Sequence, residues 1–175
     1  LAYYPGLFNY DVLRQIPQTM GSYGTHHPLA HTLYLQFFYY IVGEKICKSH
    51  NAGIAAATVV QMCIFSAMLM YVHLFCKRIG MRKGIRYVLI AASCLLPVFS
   101  MLVIAMTKDI FFAGFTGMLF AALGYWYRLR EYCARKSFAA IYILSIIGTL
   151  LFRNNGIYPL IILAVSLALQ TVIHS

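Results

Sequence analysis

Eight residues of this 175-residue chain have the side chains that group-transfer chemistry needs: Asp11, Arg14, His26, His27, His31, Lys108, Asp109 and Arg153. A carboxylate can take the proton from a hydroxyl as it attacks, while cations neutralise charge developing on a departing phosphate. Arginine grips a phosphate through two parallel N–H bonds, and lysine acts as a point charge. Two acids and several cations sharing one face would suit transfer of a group from an anionic, lipid-bound donor to an acceptor hydroxyl.

Each member of the set also has a plainer reading. Asp11 and Arg14, three apart, make an ordinary ion pair on one helical turn. His27 and His31 have the i, i+4 spacing of two ligands to a divalent metal, but a pair is an incomplete site. No other cofactor is indicated. His26 and His27 can instead donate hydrogen bonds to a phosphate, with Pro28 at a helix start leaving backbone N–H groups for the same anion. Lys108 and Asp109 fit the first turn of a helix, where an acid suits the dipole. Arg153 with Asn154, Asn155 and Gly156 reads as a tight turn, although a lone arginine in an apolar hairpin still requires a counter-anion.

The elements that must position these residues are apolar. Hydrophobic residues make up 62% of the chain and charged ones 10%, with mean hydropathy +0.75. That is the composition of a membrane protein, because a soluble domain presents more charge to water. Five apolar segments follow one another at 53–76, 87–106, 110–127, 137–152 and 156–173. Crossing the hydrocarbon core takes about 20 helical residues, with a range of about 17–25, so four qualify and 137–152 is slightly short. None alternates as a barrel strand would. The expectation is an all-α, polytopic membrane helix bundle. The five cysteines are scattered without a CxxC and read as free thiols.

The formal net charge of +10 falls in blocks between the apolar runs. The connection KRIGMRKGIR, residues 77–86, has five cations and no acid, and RLREYCARK, residues 128–136, has the four cations Arg128, Arg130, Arg135 and Lys136 beside Glu131. The positive-inside rule makes both loops cytoplasmic, a reading preferred over nucleic-acid binding. MTKD and RNNG then lie outside, and so does the start of segment 53–76. The preceding stretch 28–43 is short for a span. Pro28 and the aromatics Tyr34, Phe37, Phe38, Tyr39 and Tyr40 suit an interfacial or re-entrant helix at the headgroup level. Residues 1–52 are therefore expected as an outer loop with juxtamembrane helices, and residues 53–175 as a five-helix transmembrane bundle.

Four motifs in order, YPGLFNYDVLRQ, HHPLAHTLYLQFFYYIVG, TKDIFF and LFRNNG, together resemble the membrane glycosyltransferases of the GT-C class. That class includes the protein O-mannosyltransferases and the lipid A aminoarabinose transferase, and the likeness is strongest to a bacterial branch with the HHP, TKD and RNNG patterns. The resemblance implies a catalytic Asp11 on the first outer loop, followed by Arg14 holding the lipid phosphate. It places His26-His27-Pro28 where members have a Lys-Pro-Pro or His-Pro-Pro segment, so that a histidine stands in place of a phosphate-binding lysine. It matches Asp109 to a second acid and Arg153 to a later phosphate-binding arginine.

The function expected from these readings is sugar transfer from a polyprenyl-phosphate-linked donor to a hydroxyl of a glycan, lipid or protein. The reaction would occur on the extracytoplasmic side of the cell membrane, within the bacterial cell envelope. Asp11 and Asp109 are the catalytic candidates; Arg14, His26, His27, Lys108 and Arg153 are the phosphate-binding ones. The chain is expected to be a piece of a longer protein. The alternative is a multi-pass transporter or flippase for a lipid-linked or anionic solute, which would use the same cations without chemistry.

Overall fold

The computed structural model describes residues 3–7, 10–21 and 27–174. Helix α1 (Tyr10–Gln15) runs into a 3₁₀ turn (Ile16–Met20), and α2 (Leu29–Gln36) continues as wide π turns (Phe37–Ile46). Long helices follow: α3 (His50–Arg78), α4 (Lys83–Leu95), α5 (Pro97–Ile104), α6 (Lys108–Arg128), a short α7 (Arg130–Cys133), α8 (Lys136–Phe152) and α9 (Ile157–His174). The described residues contain no strand, only one isolated bridge between Leu7 and Ala105. The chain is all-α.

Local sequence explains where the helices stop. Ser49 caps α3, its Oγ accepting from the Ala52 N–H at 3.4 Å. At the other end Lys77 and Arg78 suit the negative pole of the dipole, and Gly80 at φ 78° turns the chain. Pro97 lacks an N–H and forces Leu96 into an extended conformation, so α4 and α5 form one apolar rod bent by 52°.

Helices α3 and α6 are each long and apolar enough to cross a membrane, and the bent pair α4–α5 makes a third if it is one span. The other two segments expected to span form α8 and α9, which are shorter apolar helices. At 1.5 Å per residue the 17 residues of α8 reach about 25 Å, because Lys136 and Arg153 bound its apolar run on both sides. All five cysteines are free.

The core lies where α3, α6 and α8 meet, around Met68, Phe111, Phe115 and Met118, with Phe152 and Tyr34 packed on it. At one end of this core the two basic connections come together. The Arg78 guanidinium donates to the Tyr125 hydroxyl at 2.9 Å and, with that of Arg135, stacks on the Tyr132 ring. The charge blocks that the sequence separates by some fifty residues thus share one end of the bundle.

The opposite end is uneven. The buried Gln61 amide donates to the carbonyls of Val103 and Ala105, at 2.7 and 2.8 Å. This sets the start of α6 beside the middle of α3, so His50–Val60 overhangs by about 16 Å. The amino-terminal segment wraps that overhang. Residues 37–46 run antiparallel to α3, and Gly43 and Gly53 let the backbones touch. The Tyr34 hydroxyl donates to the Ala57 carbonyl at 2.5 Å, and Thr58 Oγ1 donates to the Pro5 carbonyl at 3.2 Å. Stretch 28–43 therefore folds back on α3 as one arm of a helical hairpin.

Candidate functional site

Three segments far apart in sequence meet at the end of the bundle opposite the basic loops. Pro28 at the start of α2, Lys108 at the start of α6, and Arg153, Asn154 and Asn155 in the 3₁₀ turn after α8 line one cleft of about 190 Å³. Two helices begin at this cleft, and helix starts carry partial positive charge and unsatisfied N–H groups that favour an anion. Gly156 is required by close packing: a Cβ there would collide with the Thr149 carbonyl one turn back on α8. The turn is thereby pressed onto the helix end.

Asp109 faces the cleft's arginine. Arg153 Nη1 lies 3.5 Å from Asp109 Oδ1, and both side chains are about half exposed, at 44% and 49%. Such a pair adds about 1 kcal/mol or less to stability, so its arrangement matters for charge placement more than for folding. Asp109 Oδ1 is itself covered from solvent and accepts no hydrogen bond. The Arg153 guanidinium also stacks 5.2 Å from the Phe112 ring centre.

His31 lies behind the cleft, fully buried. Thr32 Oγ1 donates to the Pro28 carbonyl at 3.3 Å and accepts from Gln15 Nε2 at 2.7 Å. That orientation of the Gln15 amide leaves its oxygen to accept from His31 Nδ1–H at 2.8 Å. The network assigns the tautomer, and Nε2 is left as a buried lone pair without a partner. Burial first, then the charges of Lys108 and His27, push the His31 pKa down to about 3. The imidazole is neutral at physiological pH, and Lys108 and His27 lie within electrostatic reach.

This shift predicts a pH dependence of stability. In the unfolded chain His31 takes up a proton below its ordinary value of 6.5, whereas the folded protein refuses it until about 3. The contribution of His31 is thus complete above pH 6.5 and is lost progressively as pH falls towards 3. Thermal unfolding followed from pH 8 to pH 4 should show this slope, and His31→Gln should flatten it. An unchanged slope in the variant would assign the acid sensitivity to other groups.

The expected site residues divide as follows. His27, Lys108, Asp109 and Arg153 are gathered at or beside the cleft. Arg14 is exposed and stacks 4.3 Å from the Tyr10 ring centre, outside the cleft lining. His26 and the side chain of Asp11 lie outside the described residues. For a divalent metal the fit is poor: among the described residues no group of three or more His, Cys, Asp or Glu is assembled to hold one.

Sequence reasoning missed Gln15 and Thr32, which orient His31, and Gln61, which sets the height of the cleft against α3. Thr32 carries a weak signal, standing four residues after Pro28 and next to His31. Gln15 and Gln61 carry none, because their partners are 16 and 42 or more residues away.

No protein-family model, curated protein or solved structure matches the chain.

Proposed function

We propose that this chain forms the catalytic face of a polytopic membrane glycosyltransferase of the GT-C type. It would use a polyprenyl-phosphate-linked sugar and an acceptor hydroxyl on the extracytoplasmic side. The observation that carries the reading is the meeting of Lys108, Asp109 and Arg153, from two segments more than forty residues apart, at one cleft beside His27. The cleft lies opposite the basic loops, which is the outer end under the positive-inside rule.

In this reading Arg153 and Lys108 hold the donor phosphate, and the starts of α2 and α6 add to the positive field. The acceptor oxygen attacks the anomeric carbon, the bond from that carbon to the phosphate oxygen breaks, and polyprenyl phosphate leaves. The acceptor's proton passes to a carboxylate, for which Asp109 and Asp11 are the candidates. Arg14 and His26 belong to the wider phosphate-binding set that the motif resemblance implies. Burial of His31 keeps an uncharged ring behind the cations, so it does not compete for the anion. The helices α3, α6, α4–α5, α8 and α9 would together make the membrane bundle, with the overhang of α3 and residues 1–46 on the outer surface.

One observation favours transport instead: the break between α4 and α5, since interrupted helices mark transporter binding sites. The charged cleft, however, lies at the end of the bundle and not at that break. Membranes holding the full-length protein and a radiolabelled polyprenyl-phosphate sugar separate the two readings. Labelled glycan, lipid or protein product is the expected result; movement of the donor across the bilayer without product would overturn the enzyme assignment.

A further inference from the structure

A second cavity lies elsewhere, a groove of about 690 Å³ between α3 and the bent pair α4–α5. Its walls are apolar along most of their length, including Phe65, Leu69, Ile90 and Phe99, and its lining on α3 runs from Met62 to Lys77. By helical rise that is about 22 Å, longer than one leaflet's share, about 15 Å, of the hydrocarbon core. An acyl chain can therefore lie along it.

Charge is confined to one end. Lys77, in the last turn of α3, and Arg86, in the first turns of α4, both line the groove at the basic connection. Arg86 is half-buried, and its Nε is covered from solvent with no hydrogen-bond partner. A buried guanidinium N–H without an acceptor is costly unless a ligand supplies one. The bend at Pro97 opens the groove by tilting α5 away from the line of α4. No acid lines it to neutralise the two cations.

We infer that this groove is a binding site for an anionic phospholipid of the leaflet on the basic-loop side, its acyl chain along α3 and its headgroup phosphate between Lys77 and Arg86. Basic pockets between membrane helices on that side suit anionic headgroups. The site is independent of the cleft at Lys108 and Arg153, and stands whether or not that cleft transfers a sugar.

The test uses full-length protein in a neutral detergent, incubated with phosphatidylglycerol or phosphatidylcholine, with bound phospholipid counted by native mass spectrometry. Phosphatidylglycerol should be retained in preference, and the Lys77→Ala/Arg86→Ala double variant should weaken its binding about 25-fold, about 5-fold for each cation. The Arg82→Ala/Lys83→Ala variant, which removes two charges from the same connection but none from the groove, should keep wild-type binding. Circular dichroism establishes that both variants are folded. Equal retention of the two lipids, equal loss in the two double variants, or no bound phospholipid in the wild type would each overturn the site. The last result would mean that protein, rather than lipid, covers the groove.

Discussion

Replacing Asp109 with Asn in the full-length protein is expected to lower sugar transfer by about 10²–10⁴-fold, the range for loss of a proton-accepting carboxylate, with little change in melting temperature. The substitution keeps the shape of the side chain and removes its charge. Its ion pair with Arg153 is half exposed, so the effect on folding is at most about 1 kcal/mol. An activity loss of this size would then report chemistry and not unfolding. Arg153→Ala should differ in kind, raising KM for the polyprenyl-phosphate donor, because it removes a phosphate contact. Full activity in Asp109→Asn would exclude Asp109 as the catalytic carboxylate and leave Asp11 to be tested in the same way.

The second large effect is structural. Gly53→Val is expected to destabilise the protein by about 3 kcal/mol, the upper part of the range for overpacking, and to expose residues 1–46 to protease. A Cβ at position 53 would run into the Phe38 carbonyl and the backbone of Gly43. These are backbone atoms, which cannot swing aside as a side chain can. The hairpin between residues 37–46 and α3 would have to open, and Pro28 at the cleft and His31 behind it would shift with it. Gly84→Val is the matched control, because nothing lies within 4 Å of a Cβ built there. A melting temperature equally reduced in both variants would show that the contact between Gly43 and Gly53 is not what holds the segment.

The two experiments probe different parts of one arrangement. Asp109 and Arg153 belong to helix ends in the bundle proper, whereas Pro28 at the cleft, with His27 beside it and His31 behind it, belongs to a segment packed on the overhang of α3 and on Phe111 of α6. Loss of that packing should reduce transfer even though every charged residue is intact. A Gly53→Val protein that melts early but transfers at the wild-type rate would place the histidines outside the reaction.

Much of this protein is legible in its sequence, for reasons of solvent and charge. Runs of apolar residues bounded by arginine and lysine fix helices at 53–76, 110–127 and 137–152 to within a few residues, because each backbone polar group in an apolar run must find its partner within the helix. The run 87–106 reads as a single span, and the structure breaks it at Leu96, where Pro97 has no N–H to continue α4; the basic loops announce their common end by composition alone. The residue types at 27, 108, 109 and 153 identify what an anionic substrate would need.

Tertiary structure alone decided the rest. That α3 overhangs α6 follows from where Gln61 finds its two carbonyls, and a hydrogen bond across 42 residues has no local signature. That residues 28–43 fold back along α3 follows from a contact between two glycines, in which absent side chains carry the information. His27 and His31 have the spacing of two metal ligands, but the tautomer and charge of His31 depend on Gln15, Thr32 and burial, none of which spacing encodes. The sequence by itself determined which segments are helical, where they end and which charges must share an end of the bundle, since those follow from local hydrogen bonding and solvation. Only the packing of distant backbones determined which of those charges meet at one cleft, because distances between helices are set by long-range contacts that periodicity does not record.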